Sequence, residues 1–134
     1  AVAAIDEMHR LGLVERASGM GAYLGDRLRA LMNDHPSVGD VRGLGLFWAL
    51  DLVRDRERRE PFNTMADKVA GRPMVVDRVA ADLMDRGVFL QPWVSHLVIA
   101  PPLIITREEI DTAVEALDAS LDIADREIAA PRVS

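Results

Sequence analysis

Val14, Ala17, Gly21, Leu24, Leu28 and Leu31 recur at steps of three and four, with Glu15, Arg16, Asp26, Arg27 and Arg29 between them. That period lines one face of a helix, so an amphipathic helix ending near Asn33 is predicted. A shorter helix precedes it, from Ala1 to about Leu11, and Gly12 stands where a left-handed residue stops a helix cheaply. Asn33-Asp-His-Pro36 reads as a turn. The period then changes. From Asp40 to Leu52, Leu44, Leu46, Trp48, Leu50 and Leu52 alternate with Gly43, Gly45, Phe47, Ala49 and Asp51. One strand with two unequal faces is expected there. Gly43 and Gly45 are poor strand formers and point to a bulge or to the close approach of another backbone.

Arg54 to Glu60 is a run of mixed charge, which reads as a solvated turn. Pro61 to Pro73 reads as a long loop. Val76, Val79, Ala80 and Leu83 then form the inward face of a helix that reaches about Arg86, with Gly87 as its stop. Val88 to Gln91 reads as a short strand, Pro92-Trp-Val-Ser95 as a turn and Leu97 to Ile99 as a strand, linked closely enough to be an antiparallel pair. The chain turns at Pro101-Pro102. Thr106-Arg-Glu-Glu109 is a capping box, in which hydroxyl and carboxylate each satisfy a free backbone N–H. It opens a last helix with Ile110, Val114, Leu117, Leu121, Ala124 and Ile128 on one face, ended by Pro131. The predicted fold is two-layer α+β: a small, mainly antiparallel sheet with helices packed on one side.

Length and charge narrow the function classes. The 134 residues suit one domain, or a segment the size of one. A net charge of −6 argues against a nucleic-acid binder or an anionic-membrane binder. No apolar run approaches the roughly 20 residues that span a bilayer, and Ala1-Val-Ala-Ala-Ile-Asp-Glu7 turns acidic too soon for a signal peptide. A cytoplasmic location is the expectation. The absence of cysteine excludes disulfides and thiol chemistry within the chain. Ala1 already lies inside a helical pattern, which suggests a segment of something longer. Lys68 is the single lysine against fifteen arginines, so only one residue could form a Schiff base.

The candidate chemistry is sparse. His9, His35 and His96 have no partner at metal-ligand spacing. The carboxylates lie mostly beside arginines on helix surfaces, which does not favour a paired acid and base. The serines lack a nucleophile-elbow context. Gly43-Leu-Gly45 lacks the third glycine and the following helix of a dinucleotide fingerprint. Lys68, in Met65-Ala-Asp-Lys-Val69, has no apolar pocket to depress its pKa and reads as a surface lysine. Met65, Met74 and Met84 read as core filler or loop residues. These residues alone form no complete catalytic constellation. A non-catalytic α+β module that binds a ligand or a partner chain stays open.

Two motifs carry a resemblance. His35-Pro-Ser-Val-Gly-Asp-Val-Arg-Gly-Leu-Gly-Leu46, followed by Trp48-Ala-Leu-Asp-Leu-Val53, is similar to a signature of the class III aminotransferases, the ω-transaminase and ornithine or 4-aminobutyrate transaminase group. Ala100-Pro-Pro-Leu-Ile-Ile-Thr106, with Glu109 and Ile110, resembles that family's closing motif, and Leu83-Met-Asp-Arg-Gly-Val88 falls between the two as it does there. The resemblance runs from about Ala4 to Asp125. It implies the C-terminal small domain of a fold type I enzyme dependent on pyridoxal 5′-phosphate (PLP). The whole of residues 1–134 would be that domain, and the large PLP-binding domain would lie outside the chain. The parent is then expected to move an amino group from an amine or ω-amino acid to a keto acid, with pyruvate the expected acceptor, and to be a homodimer. The Schiff-base lysine belongs to the family's large domain. Lys68 does not match it, so this chain alone is expected neither to transaminate nor to bind PLP tightly.

The resemblance also nominates substrate-binding residues. Members that hold an α-carboxylate through a fixed small-domain arginine carry it two residues before Ala-Pro-Pro, and Val98 stands there. The amine:pyruvate members resemble this chain more closely through the preceding turn. Gln91 matches their mobile, carboxylate-pairing arginine. Glutamine can donate a hydrogen bond but brings no charge and no bidentate fork. Trp93 could supply an apolar wall, or simply pack on the sheet. Arg42 is expected to hold the strand start or a domain junction.

Overall fold

A computed structural model describes residues 1–131; the last three positions of the predicted unit lie outside the described residues. Helix α1 (Val2–Arg10) leads through Gly12, at φ +59°, into α2 (Leu13–Asp34). Strand β1 (Val38–Leu44) and β2 (Phe47–Asp55) follow, then the two-residue β3 (Glu60–Pro61), the short helix α3 (Met65–Val69) and α4 (Val75–Asp85). Strands β4 (Gln91–Trp93) and β5 (His96–Ile99) lead to α5 (Arg107–Ala129). The main sheet runs β1-β2-β5-β4 with every neighbouring pair antiparallel, and β3 pairs with the far end of β2.

The expected α+β arrangement is present, because the strands, Val53 apart, bury one face. Trp48, Leu50, Leu52, Leu97 and Ile99 point into a core completed by Leu24, Leu28 and Leu31 of α2, Val76, Val79 and Leu83 of α4, and Ile110, Val114, Leu117 and Leu121 of α5. The capping box at Thr106 forms as its spacing implied: Thr106 N–H donates to Glu109 Oε2 at 2.9 Å and Glu109 N–H donates to Thr106 Oγ1 at 3.2 Å. Among the described residues, no helix is long and apolar enough to cross a membrane.

Several boundaries differ from the sequence reading. The single strand expected over Asp40–Leu52 is a hairpin, with Gly45 and Leu46 forming a two-residue turn. Gly45 takes φ +57°, which glycine supplies without steric cost. The turn resets the alternation: Leu44 pairs with Phe47 and is 87% exposed, whereas Trp48 is buried. The second short strand begins at Gln91, not Val88, and includes Pro92 and Trp93. Only Val94 and Ser95 make the turn. Proline is tolerated because β4 is an edge strand. The long loop contains α3, whose Thr64 and Asp67 form a second capping box. In α2 the inward residue of the first turn is Leu13; Val14 is 64% exposed.

Two glycines of α2, Gly21 and Gly25, are a packing device. A β-carbon at Gly21 would overlap the carbonyl of Gly45, and one at Gly25 would overlap the ring of Trp48. Trp48 Nε1–H donates to Gly45 O at 2.7 Å, which fixes the ring against the turn it folds over. Gly21→Ala should cost about 3 kcal/mol through this backbone overlap. Gly19→Ala, on the same helix with open space at its β-carbon, should gain about 0.5–1 kcal/mol from helix propensity. Denaturant unfolding of the two variants measures both.

Candidate functional site

The face of the sheet turned away from the helices carries every residue the sequence nominated. Register places Arg42 opposite Ala49, Ala49 opposite Val98 and Val98 opposite Gln91, so these four form one row across β1, β2, β5 and β4. The next row is Asp40, Asp51, His96 and Trp93. Strand spacing of about 4.8 Å and the two-residue pleat make Gln91, Val98 and Trp93 immediate neighbours on this face. Leu44 and Phe47, at 87% and 63% exposure, extend it at the hairpin end.

Gln91 is exposed, and its Nε2 donates to the carbonyl of Pro92 at 3.2 Å. Val98 is half-buried between Ala49 and Gln91 and presents only methyl groups. Trp93 is 48% exposed, and the Lys68 ammonium sits 5.0 Å from the centre of its ring. Val94, the next residue, takes φ +53°, a costly conformation for a β-branched side chain. Arg42 is tied down: Nη1 donates to Asp51 Oδ2 at 2.7 Å and to Asp40 Oδ2 at 3.1 Å, and Nη2 donates to Asp51 Oδ1 at 3.2 Å. The Asp51 hydrogen bond holds the guanidinium even more firmly charged than usual. Arg42 therefore braces β1 against β2, the structural role expected from sequence. Gln91 offers one neutral hydrogen bond, and Trp93 with Val98 offers an apolar wall.

Two concavities lie apart from the side chains of Gln91, Trp93 and Val98. An apolar groove of about 660 Å³ runs between the segment Gly87–Leu90 and the start of α5, past Pro101, Ile105 and Ala113. A polar one of about 450 Å³ is lined by Asp40, Asp51, Arg56, Arg59 and Ser95. Neither includes Gln91, Trp93 or Val98.

Lys68 occupies α3 with its amine against Trp93, in a half-exposed position rather than a closed pocket. A Schiff base to PLP needs a desolvated or otherwise activated lysine beside a phosphate-binding cradle. The described residues do not provide that pair, so they do not by themselves fit the cofactor.

Sequence reasoning missed one polar cluster. His35, read as a turn residue without a partner, has both ring nitrogens against carboxylates of α5, Asp125 at 2.6 Å and Asp118 at 2.9 Å. Asp122 adds a third carboxylate nearby. The partners lie 83 and 90 residues away, and only the seven-residue spacing of Asp118 and Asp125 on one helix face hinted that they act together. With both nitrogens engaged by carboxylates, the cluster is arranged around a proton.

The comparisons with known proteins agree with the fold. The profile of the family described as "Aminotransferase class-III" matches residues 1–121. The chain is 37% identical over 128 residues to an uncharacterised aminotransferase, C1771.03c, of Schizosaccharomyces pombe, covering 85% of this chain and 25% of that protein. It is 34% identical over 119 residues to the taurine–pyruvate aminotransferase of Bilophila wadsworthia, covering 88% of this chain and 25% of that one. Among solved structures it resembles a PLP-bound amine transaminase from an uncultivated Pseudomonas species, with a TM-score of 0.80 and 34% identity over 90% of this chain and 26% of the other. The chain belongs to the class III aminotransferase family, and it spans about a quarter of the length of the relatives it matches.

The Arg42 pair with Asp51 is a local brace half-open to solvent. Arg42→Ala should therefore lower stability by no more than about 1 kcal/mol. The loss should shrink as salt is added, which unfolding at low and high ionic strength reads directly.

Proposed function

We propose that this chain is the C-terminal small domain of a PLP-dependent class III aminotransferase that moves an amino group from an amine or ω-amino acid to a keto acid, with pyruvate as acceptor. The observation that carries the reading is the clustering of Gln91, Trp93 and Val98 on the one sheet face the helices leave uncovered. The family match supports amino-group transfer, and pyruvate is the acceptor named for the Bilophila wadsworthia relative. The cofactor, which supplies an electron sink for the substrate carbon when bound, would be held by the part of the protein that corresponds to the remaining three quarters of the relatives. The working protein would be a cytoplasmic homodimer. This chain alone would not transaminate, since Lys68 is no substitute for the missing site.

On this reading the chain's own residues bind and orient. Trp93 closes one side of the substrate pocket and keeps water from it. Gln91 donates a single hydrogen bond to the acceptor carboxylate. Val98, carrying no charge, leaves the pocket open to amines without an α-carboxylate. Relatives that clamp a carboxylate with a fixed arginine at the Val98 position would favour different substrates.

The test uses the full-length protein that carries this chain. With an amine donor labelled with ¹⁵N and pyruvate, the label should appear in alanine. Label retained in the donor, as in racemisation, or released as ammonium would overturn the proposal. Gln91→Arg should raise kcat/KM for pyruvate about tenfold, the gain of a charge-assisted over a neutral hydrogen bond at about 1.4 kcal/mol. The rate constant for an amine lacking a carboxylate, measured in single turnover, should stay unchanged.

A further inference from the structure

His35 is the most deeply buried titratable residue among the described residues, at 5% exposure. It sits at the corner where α2 gives way to β1. Its Nδ1 lies 2.6 Å from Asp125 Oδ2 and its Nε2 lies 2.9 Å from Asp118 Oδ1. The other Asp125 oxygen accepts from the backbone N–H of Ser37 at 3.1 Å. On the opposite side Arg56 Nη2 donates to the carbonyls of His35, at 2.7 Å, and Met32, at 2.8 Å. The charged groups around the ring are thus Asp118, Asp122 and Asp125 from α5 and Arg56 from the β2–β3 connection. Farther along α5, Glu127 is engaged by Arg54 and Arg78.

A neutral imidazole has one N–H and one lone pair, so it can donate to only one of two flanking carboxylates. The second would then face a lone pair across less than 3 Å. Only the imidazolium satisfies both. We propose that His35 is a proton-operated clamp, which ties the C-terminal half of α5 to the α2–β1 corner when protonated and releases it when the proton is lost. Burial alone would push the His35 pKa down, but the hydrogen bonds its ring donates to Asp125 and Asp118 outweigh it and hold the pKa above its ordinary 6.5. A group whose folded pKa is raised contributes fully below its unfolded value and stops contributing as pH rises through the folded one. The clamp is therefore closed below the ordinary histidine range and opens on the alkaline side. The first turn of α5 keeps its own capping box at Thr106 and is independent of it.

Hydrogen exchange by mass spectrometry on the protein, from about pH 6 to about pH 9 and corrected for the intrinsic pH dependence of exchange, tests the clamp. Protection of residues 118–129 and of Ser37 should fall about tenfold through a one-proton transition, the loss of one hydrogen bond to a charged group. Protection of residues 110–114 should hold. Asp118→Asn is the decisive variant. A carboxamide can donate to the neutral ring's lone pair or accept from the imidazolium, so the transition should vanish with protection retained. Asp118 has a 55% exposed side chain, so the change should not disturb folding. Wild-type protection that does not vary with pH would overturn the proposal, and so would an unchanged transition in Asp118→Asn.

Discussion

Helix α2 lies so close to the β1–β2 hairpin that no side chain fits between them at two successive turns. Gly21 rests on the backbone of Gly45, and Gly25 rests on the indole of Trp48. This contact commits one face of the sheet to the helices. Once α2 is seated, Leu24, Leu28 and Leu31 meet Val41, Trp48 and Leu50, and α4 and α5 complete the layer. The opposite face is left with Arg42, Ala49, Val98 and Gln91 in one row and Asp40, Asp51, His96 and Trp93 in the next. What this face can do follows from which side of the sheet the glycines let the helix cover.

Much of the helical layer was legible in the sequence because a period of three to four has one physical meaning at that length. The faces of α2, α4 and α5 and the Thr106 cap were read correctly but for Val14. The strands were harder. Alternation carries on in the sequence across the two-residue turn at Gly45-Leu46, so a hairpin looks like one long strand. The parity change that exposes Leu44 and buries Trp48 is set by the turn, not by the alternating residues. Gly43 and Gly45 marked the place without saying which of two outcomes they served. At β4 the proline in position 92 argued against a strand, and only the edge position made it acceptable.

The candidate site was legible only through likeness to relatives. Nothing in the composition around Gln91, Trp93 or Val98 distinguishes them from ordinary strand and turn residues. Their shared face emerges from register, which no local pattern contains. The His35 cluster shows the converse. Its chemistry is plain once Asp118 and Asp125 are beside it, but those partners come from the far end of the chain. Arg42 fell between these cases: it was expected to hold the strand start or a domain junction, and cross-strand pairing with Asp51 engages its charge within the sheet.

The central claim is that the uncovered sheet face is the working face. The chain contains no cysteine, so single cysteines can be placed and labelled within it at will. In the full-length protein, Trp93→Cys on the open face should react more slowly with a thiol reagent when amine and keto acid are bound, and its labelling should abolish turnover. Glu115→Cys, on the exposed side of α5, should label at the same rate with or without substrates and leave turnover intact. Protection and inactivation at Glu115→Cys with none at Trp93→Cys would place the working surface on the helices and contradict the account.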